Sequence, residues 1–270
     1  VGPVPAELKI IADVARFRLR RLEMANLMAA VAMMVALRLP MSEIVARTAF
    51  GALLNLLVYL NNDWFDLEDD LASQTRDREK TEFLGANRAA GVRAQLGLLG
   101  ALFGFAVVWG GGLLLVLVVG AGVCAAYSKI LKRRPYVDVV AMMIWGASMP
   151  AVGVPSGYAA GFLMLGQLSL FSGVFESIQV LRDREGDAAI GVQTTAVVLG
   201  ERATKALARV LMAASAIYAA WFFHPLVAIG PLVAMVLKPG DDLNRYWNRV
   251  RFLLGPTLLV ECALVYLGLV

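Results

Sequence analysis

About nine stretches of largely apolar sequence, each near the roughly 20 residues that a helix needs to cross the hydrocarbon of a bilayer, take up most of this 270-residue chain. They lie at approximately 22–39, 44–60, 95–108, 111–127, 137–154, 157–181, 206–222, 226–237 and 252–270. In lipid each backbone N–H and C=O has to be satisfied inside the protein, so a spanning segment is either a helix or a strand of a closed barrel. The period-two alternation of barrel strands is not found in these stretches. Composition agrees: 59% of residues are hydrophobic and 17% charged, against about half and a quarter in soluble domains. The expected fold is an all-α integral membrane protein, with about nine transmembrane helices surrounding a central cavity and cytoplasmic cap loops after the second and sixth. Residues 1–270 read as one domain. No stretch is left for a separate soluble catalytic domain, so any chemistry belongs to helix ends and inter-helix loops.

The basic residues orient this array. Of the 25 lysines and arginines, all but Arg38, Arg47 and Arg209 fall before the first span or after an even-numbered one. Lysine and arginine mark the cytoplasmic side of short loops. The N-terminus and the even-numbered loops are therefore expected in the cytoplasm and the C-terminus outside. The net charge of +4 does not indicate nucleic acid, because its basic residues are scattered among apolar helices rather than gathered in one basic domain. No protein partner can be inferred; membrane lipid is the expected surrounding. The N-terminal stretch lacks the charged-then-apolar-then-small order of a cleavable signal. Cys124 and Cys262 have no partner at metal spacing and read as small core residues. His224, between Phe223 and Pro225, reads as a turn residue.

The carboxylates are not scattered. Of 21 acidic residues, eight fall between Asp63 and Glu82 and three between Asp183 and Asp187, in the loops after spans two and six. If the helix continues through the first cluster, Asp66 and Asp70 share one face about 6 Å apart, and Asn62 extends that face one turn earlier. Two like charges so placed repel unless a divalent cation sits between them, and carboxylate with amide oxygen is the hard ligand set that Mg²⁺ takes. Asp183 and Asp187 repeat the pair four spans later. Since Mg²⁺ keeps several waters and completes its shell with phosphate oxygens, two facing aspartate pairs suit a diphosphate held between two metal ions. Arg78 and Lys80 after the first pair, and Lys132 and Arg133 after Tyr127, are placed to neutralise a departing diphosphate. Asp63, Glu68 and Asp69 lie off the metal face and read as solvated or supporting residues, and Glu176 as part of a cavity wall.

The first cluster reads N-D-x-x-D-x-x-x-D from Asn62, and the second D-R-E-G-D-A-A-I-G-V-Q-T-T-A-V-V-L-G from Asp183. Together they resemble the two signature motifs of the UbiA superfamily of intramembrane prenyltransferases, close to its 4-hydroxybenzoate polyprenyltransferases. The resemblance extends to the nine-helix plan, to the Tyr127…Lys132-Arg133 stretch and to an Arg21…Asn26 element at the start of the first span. It departs where family members often carry Arg-Pro-Leu, since this chain has Thr75-Arg76-Asp77-Arg78-Glu79-Lys80, and where many carry lysine in place of Gln193.

The resemblance implies that Asn62, Asp66, Asp70, Asp183 and Asp187 bind Mg²⁺, as two ions bridging the diphosphate, together with an isoprenyl diphosphate. The implied reaction is ionisation of the allylic diphosphate and capture of the cation by a small aromatic acceptor such as 4-hydroxybenzoate, with Arg21 a candidate anchor for its carboxylate. Quinone-type biosynthesis is the implied setting. Aromatic faces such as Tyr127, Trp145, Tyr158 or Phe175 would stabilise the cation. A naphthoate, a homogentisate or a glycerol-phosphate lipid fits the same residues, as does a terpene cyclase that turns the cation on its own chain. A divalent-cation transporter fits less well, because its carboxylates would sit near the bilayer midplane rather than at span ends.

Overall fold

The computed structural model describes residues 4–20, 24–72, 78–240 and 242–270. Their regular structure is helical throughout: α1 (Ala6–Arg20), α2 (Ala25–Ala36), α3 (Met41–Phe65), α4 (Leu67–Ala72), α5 (Arg78–Ala86), α6 (Arg88–Trp109), α7 (Leu113–Lys129), α8 (Val137–Ser148), α9 (Ala159–Ala189), α10 (Thr195–Phe222), α11 (Ile229–Val236) and α12 (Leu243–Tyr266). Each of the nine apolar stretches falls on a helix, with short 3₁₀ turns extending α8 (Pro150–Gly153) and preceding α11 (Pro225–Ala228). Four helices, α3, α6, α9 and α10, are individually long and apolar enough to cross a membrane.

Helix lengths depart from the sequence expectation where charge begins. The third span, expected from about residue 95, starts at Arg88, and the sixth continues eight residues past 181 to Ala189. Polar residues end an apolar run, but they do not end a helix: Arg, Glu and Ala are good helix formers and the extra turns lie beyond the apolar zone. The seventh helix begins at Thr195, with a break in helical geometry at Gly200 (φ 78°, ψ 170°), a conformation that glycine takes without a Cβ penalty.

Two apolar clusters hold the bundle. One gathers Phe50, Leu54, Leu60, Leu102, Leu113 and Met149 around α3, α6 and α7, with Ile10 and Val14 of α1. The other gathers Met33, Met34, Met164, Val174, Met212 and Val250 around α2, α9, α10 and α12. Large apolar side chains also face outward, among them Phe103 and Val108 on α6, Leu115 on α7 and Trp221 on α10. Exposed apolar surface on this scale suits a lipid surround rather than water. Helix contact in lipid relies on close packing, and α8 approaches α9 closely at Gly146, where a Cβ would lie 2.2 Å from Ser172 Cβ and 3.0 Å from the Leu168 carbonyl oxygen. The run Gly110–Gly112 makes the α6–α7 turn, with all three at positive φ.

Arg47 fixes the end of the bundle remote from the acidic motifs. Buried at 2% exposure, it donates from Nε to Glu43 (2.6 Å), from Nη1 to the Val152 carbonyl (2.9 Å) and from Nη2 to the Gly111 carbonyl (3.3 Å). A planar guanidinium matches such a divergent set of acceptors, and here it ties α3 to two turns. At the motif end, α1 lies across α6, where Arg93 donates to Glu7 (2.7 Å). Glu7's own backbone N–H at the helix start, and then Arg93, hold its carboxyl below the usual value.

Candidate active site

The first acidic motif sits where α3 ends. Asp66 occupies the junction between α3 and α4, so the helix breaks there rather than continuing, but the Asp70 N–H still bonds the Asp66 carbonyl (2.8 Å). The helical turn that sets Asp66 and Asp70 four residues apart thus survives the break. The end of α7 runs alongside: Ser128 Oγ donates to Asn62 Oδ1 (3.2 Å), and Lys132 Nζ donates to Asp66 Oδ1. Arg133 approaches Asp69 at 3.9 Å, both more than half exposed. Deeper in the bundle, Tyr127 Oη donates to Glu176 of α9 (2.6 Å). Sequence-distant Asn62, Asp66, Tyr127, Lys132 and Glu176 are thereby brought to one region.

The second motif lies inside α9. Arg182 holds Asp183 through Nε to Oδ1 (2.9 Å) and Nη2 to Oδ2 (3.1 Å), and reaches Asn244 of α12 (3.3 Å). Asp187, one turn on, is partly buried, and Lys132 lies within its electrostatic reach. The Thr194 hydroxyl sits beside the Asp187 carboxylate without a geometry that makes a hydrogen bond.

Two sequence-selected cations are placed elsewhere. Lys80 donates to Asp63 Oδ2 (2.6 Å) while Arg18 of α1 donates to Asp63 Oδ1 (2.6 Å), and these two cations lie against Phe17 and Tyr59. Asp63, expected to be solvated or supporting, is 5% exposed; one residue after Asn62 it turns about 100° around α3, away from the face that carries Asn62. Arg78 is 85% exposed and bonds Glu82 (2.6 Å), which raises the guanidinium pKa. Arg21 lies outside the described residues.

The comparisons with known proteins decide the family. The family model for UbiA prenyltransferases matches residues 25–240. The chain belongs to the UbiA prenyltransferase family. It is thus an integral membrane enzyme that transfers prenyl groups. No curated protein matches its sequence significantly. Among solved structures, a digeranylgeranylglyceryl phosphate synthase studied in membranes superposes with a TM-score of 0.75 at 15% identity, covering 97% of this chain and 99% of the other. A UbiA homologue from Archaeoglobus fulgidus bound to GPP and Mg²⁺ gives 0.72 at 14% identity, with 97% and 99% coverage. The same homologue bound to DMAPP and Mg²⁺ gives 0.71 at 15%, with 96% and 98% coverage. At these identities the likeness is one of fold.

The donor set at the two motifs fits a divalent cation of the hard type. Asn62, Asp66, Asp70, Asp183 and Asp187 offer oxygen alone, Asp66 already accepts a positively charged group, and the Thr194 hydroxyl is a buried polar atom lacking a partner. Among the described residues no three acidic, histidine or cysteine side chains gather around one point as a ready-made cage.

Sequence reasoning missed Asp138, Thr195 and Arg18 as contributors to this end of the molecule. An aspartate in the first turn of an apolar helix is favoured there by the helix dipole, and Asp138 in Tyr136-Val137-Asp138 is so placed. Nothing in the local sequence shows that its partner is Thr195, 57 residues away.

Proposed function

We propose that the protein transfers the prenyl group of an isoprenyl diphosphate to a small aromatic acceptor within the membrane, with Mg²⁺ held by Asn62, Asp66 and Asp70 on one side and Asp183 and Asp187 on the other. Lys132 carries this reading: one ammonium bonds the first acidic motif and lies within electrostatic reach of the second, where the negative charge of a departing diphosphate would develop. Two Mg²⁺ ions, when bound, supply Lewis-acid stabilisation of that leaving group. The chain's own residues do the rest. Lys132 and Arg133 bind the diphosphate, and Tyr127, held by Glu176, presents an aromatic face on the membrane side of it. The apolar helices keep water from the allylic cation. The motif end faces the cytoplasm, as the distribution of lysine and arginine supports, and residues 1–270 act as one domain. Arg78, bonded to Glu82 on the surface, is a candidate only through rearrangement of α5.

A glycerol-phosphate lipid is the second acceptor class, favoured by the fold likeness to digeranylgeranylglyceryl phosphate synthase. The test is diphosphate release from geranyl diphosphate and longer homologues by purified protein, with Mg²⁺ or EDTA, and with 4-hydroxybenzoate, geranylgeranylglyceryl phosphate or no acceptor, products being weighed by mass spectrometry. Mg²⁺-dependent release giving a prenylated aromatic acid is the expected result. A product with the lipid phosphate alone replaces the acceptor, release without any acceptor indicates cyclisation or hydrolysis, and no release with any combination overturns the reading.

A further inference from the structure

The first turn of α8 holds a carboxylate that has no part in the site as described so far. Asp138 is completely buried. Its Oδ1 accepts from the Val139 N–H (2.8 Å) and from the Thr195 hydroxyl, and its Oδ2 from the Thr195 N–H (2.7 Å). The Thr195 oxygen accepts in turn from the Tyr136 N–H (2.6 Å). Tyr136 stands at φ 68°, a left-handed conformation unfavourable for a residue with a Cβ, and this bond helps to keep it there. The loop that carries Lys132 and Arg133 is therefore sewn, at its far end, onto the first residue of α10.

On the other side of that seam lies the second acidic motif. Thr194, adjacent to Thr195, sits beside Asp187, and the Val192 N–H bonds the Asp187 carbonyl (2.9 Å). At the near end of the loop, Lys132 bonds Asp66. A path of hydrogen bonds and short backbone segments thus runs from Asp66 through Lys132 and its loop to Asp138 and Thr195, and on through residues 192–194 to the Asp187 carbonyl, and Asp138 is its one link made by a fully buried charge.

We propose that Asp138 is a positioning residue that sets the separation of the two acidic motifs, acting through the Lys132 loop on one side and Thr194 and Thr195 on the other. The proposal rests on the reading of those motifs as a Mg²⁺·diphosphate clamp. A carboxylate suits the task because both of its oxygens accept. An amide at this position keeps the shape but turns an N–H₂ toward one of the donors, leaving two hydrogens face to face.

The test uses Asp138→Asn, Thr195→Val and Thr195→Ser in the full-length protein in detergent. Mg²⁺ is titrated in two ways: as the rise in melting temperature with inorganic diphosphate present, and as turnover of the prenyl diphosphate. Asp138→Asn and Thr195→Val are expected to raise the Mg²⁺ half-saturation in both readouts by about tenfold, the range found when groups supporting metal ligands are removed, with much of kcat recovered at saturating Mg²⁺. Thr195→Ser, which keeps the hydroxyl, is expected to titrate like the parent. A merely structural role lowers the melting temperature and the active fraction but leaves the Mg²⁺ half-saturation unchanged, and that result in both variants overturns the proposal. Should Asp138→Asn not fold, the Thr195 pair decides alone. A parent protein that shows neither Mg²⁺ response overturns the clamp reading and this proposal with it, whereas a responsive parent with identically titrating variants overturns this proposal alone.

Discussion

Replacing Asp63 by alanine tests whether the motif end is held together by one buried charge. Its carboxylate is 5% exposed and serves Arg18 and Lys80, whose side chains are 12% and 11% exposed. Removal takes from two cations of α1 and α5 the carboxylate they share, in a poorly solvated place. Breaking a buried ion pair by deleting one partner costs about 3–5 kcal/mol, and two pairs share this one. At roughly 2–4 °C per kcal/mol for a chain of this size, Asp63→Ala is expected to melt on the order of 10 °C lower in detergent. The decisive arm is the triple variant Asp63→Leu, Arg18→Met, Lys80→Met. If the loss comes from unpaired buried charge, apolar side chains of similar volume recover most of it, as such replacements do where charge burial is costly. A single variant melting within about 1 kcal/mol of the parent, or a triple variant no more stable than the single, refutes the reasoning.

Lys132→Ala removes the cation that bonds Asp66; the expected outcome is a KM for prenyl diphosphate raised on the order of 10- to 100-fold, from the loss of a charge-assisted contact worth about 1.5–3 kcal/mol, with the melting temperature nearly unchanged because the Asp66 pair is partly exposed. Asp66→Ala combined with Asp183→Ala is expected to abolish turnover while chromatography and circular dichroism show a folded protein; full activity of that double variant sinks the metal clamp. Arg78→Ala, which removes only an exposed pair with Glu82, is expected to shift stability by less than about 0.5 kcal/mol and turnover by less than twofold. Arg47→Ala strands Glu43 and two buried carbonyls at the opposite end and is expected to destabilise by about 3–5 kcal/mol, read in a denaturant melt, without altering the Mg²⁺ half-saturation.

The helices were legible because lipid allows so few solutions: a stretch near 20 apolar residues has to satisfy its own backbone, and all nine such stretches are helical here. What apolarity cannot show is where a helix stops once it leaves the hydrocarbon, and Arg88 and Ala189 lie beyond the expected limits for that reason. The acid pairs were legible through their spacing, since i and i+4 fix a shared face whatever the surroundings, and Asp66 and Asp70 keep that relation across the break after Phe65. The cations were legible only in part. A lysine on a flexible stem goes to whichever carboxylate its loop brings near: Lys132, selected from its stretch after Tyr127, reaches Asp66, whereas Lys80 goes to Asp63. Asp63 was read as lying off the metal face, as it does, but its burial was not legible because its neighbours in sequence are the motif, whereas its neighbours in space are α1 and α5.

A division of labour between acids follows from how many donors each already satisfies. Asp63 and Asp138 are buried and fully engaged, by two cations and by three donors respectively; a charge so compensated is costly to uncover and holds its elements in register. Asp183 and Asp187 are partly exposed, and Asp66 is held by a single lysine whose amine is itself suited to a phosphate. On the proposed reading, those carboxylates would take a metal ion in place of the lysine without leaving a buried charge unpaired, the displaced ammonium then pairing with the diphosphate. On this basis Lys132→Gln, which keeps length but not charge, is expected to behave in diphosphate binding like Lys132→Ala rather than like the parent, and a parent-like KM in the glutamine variant would show that the lysine acts by filling space.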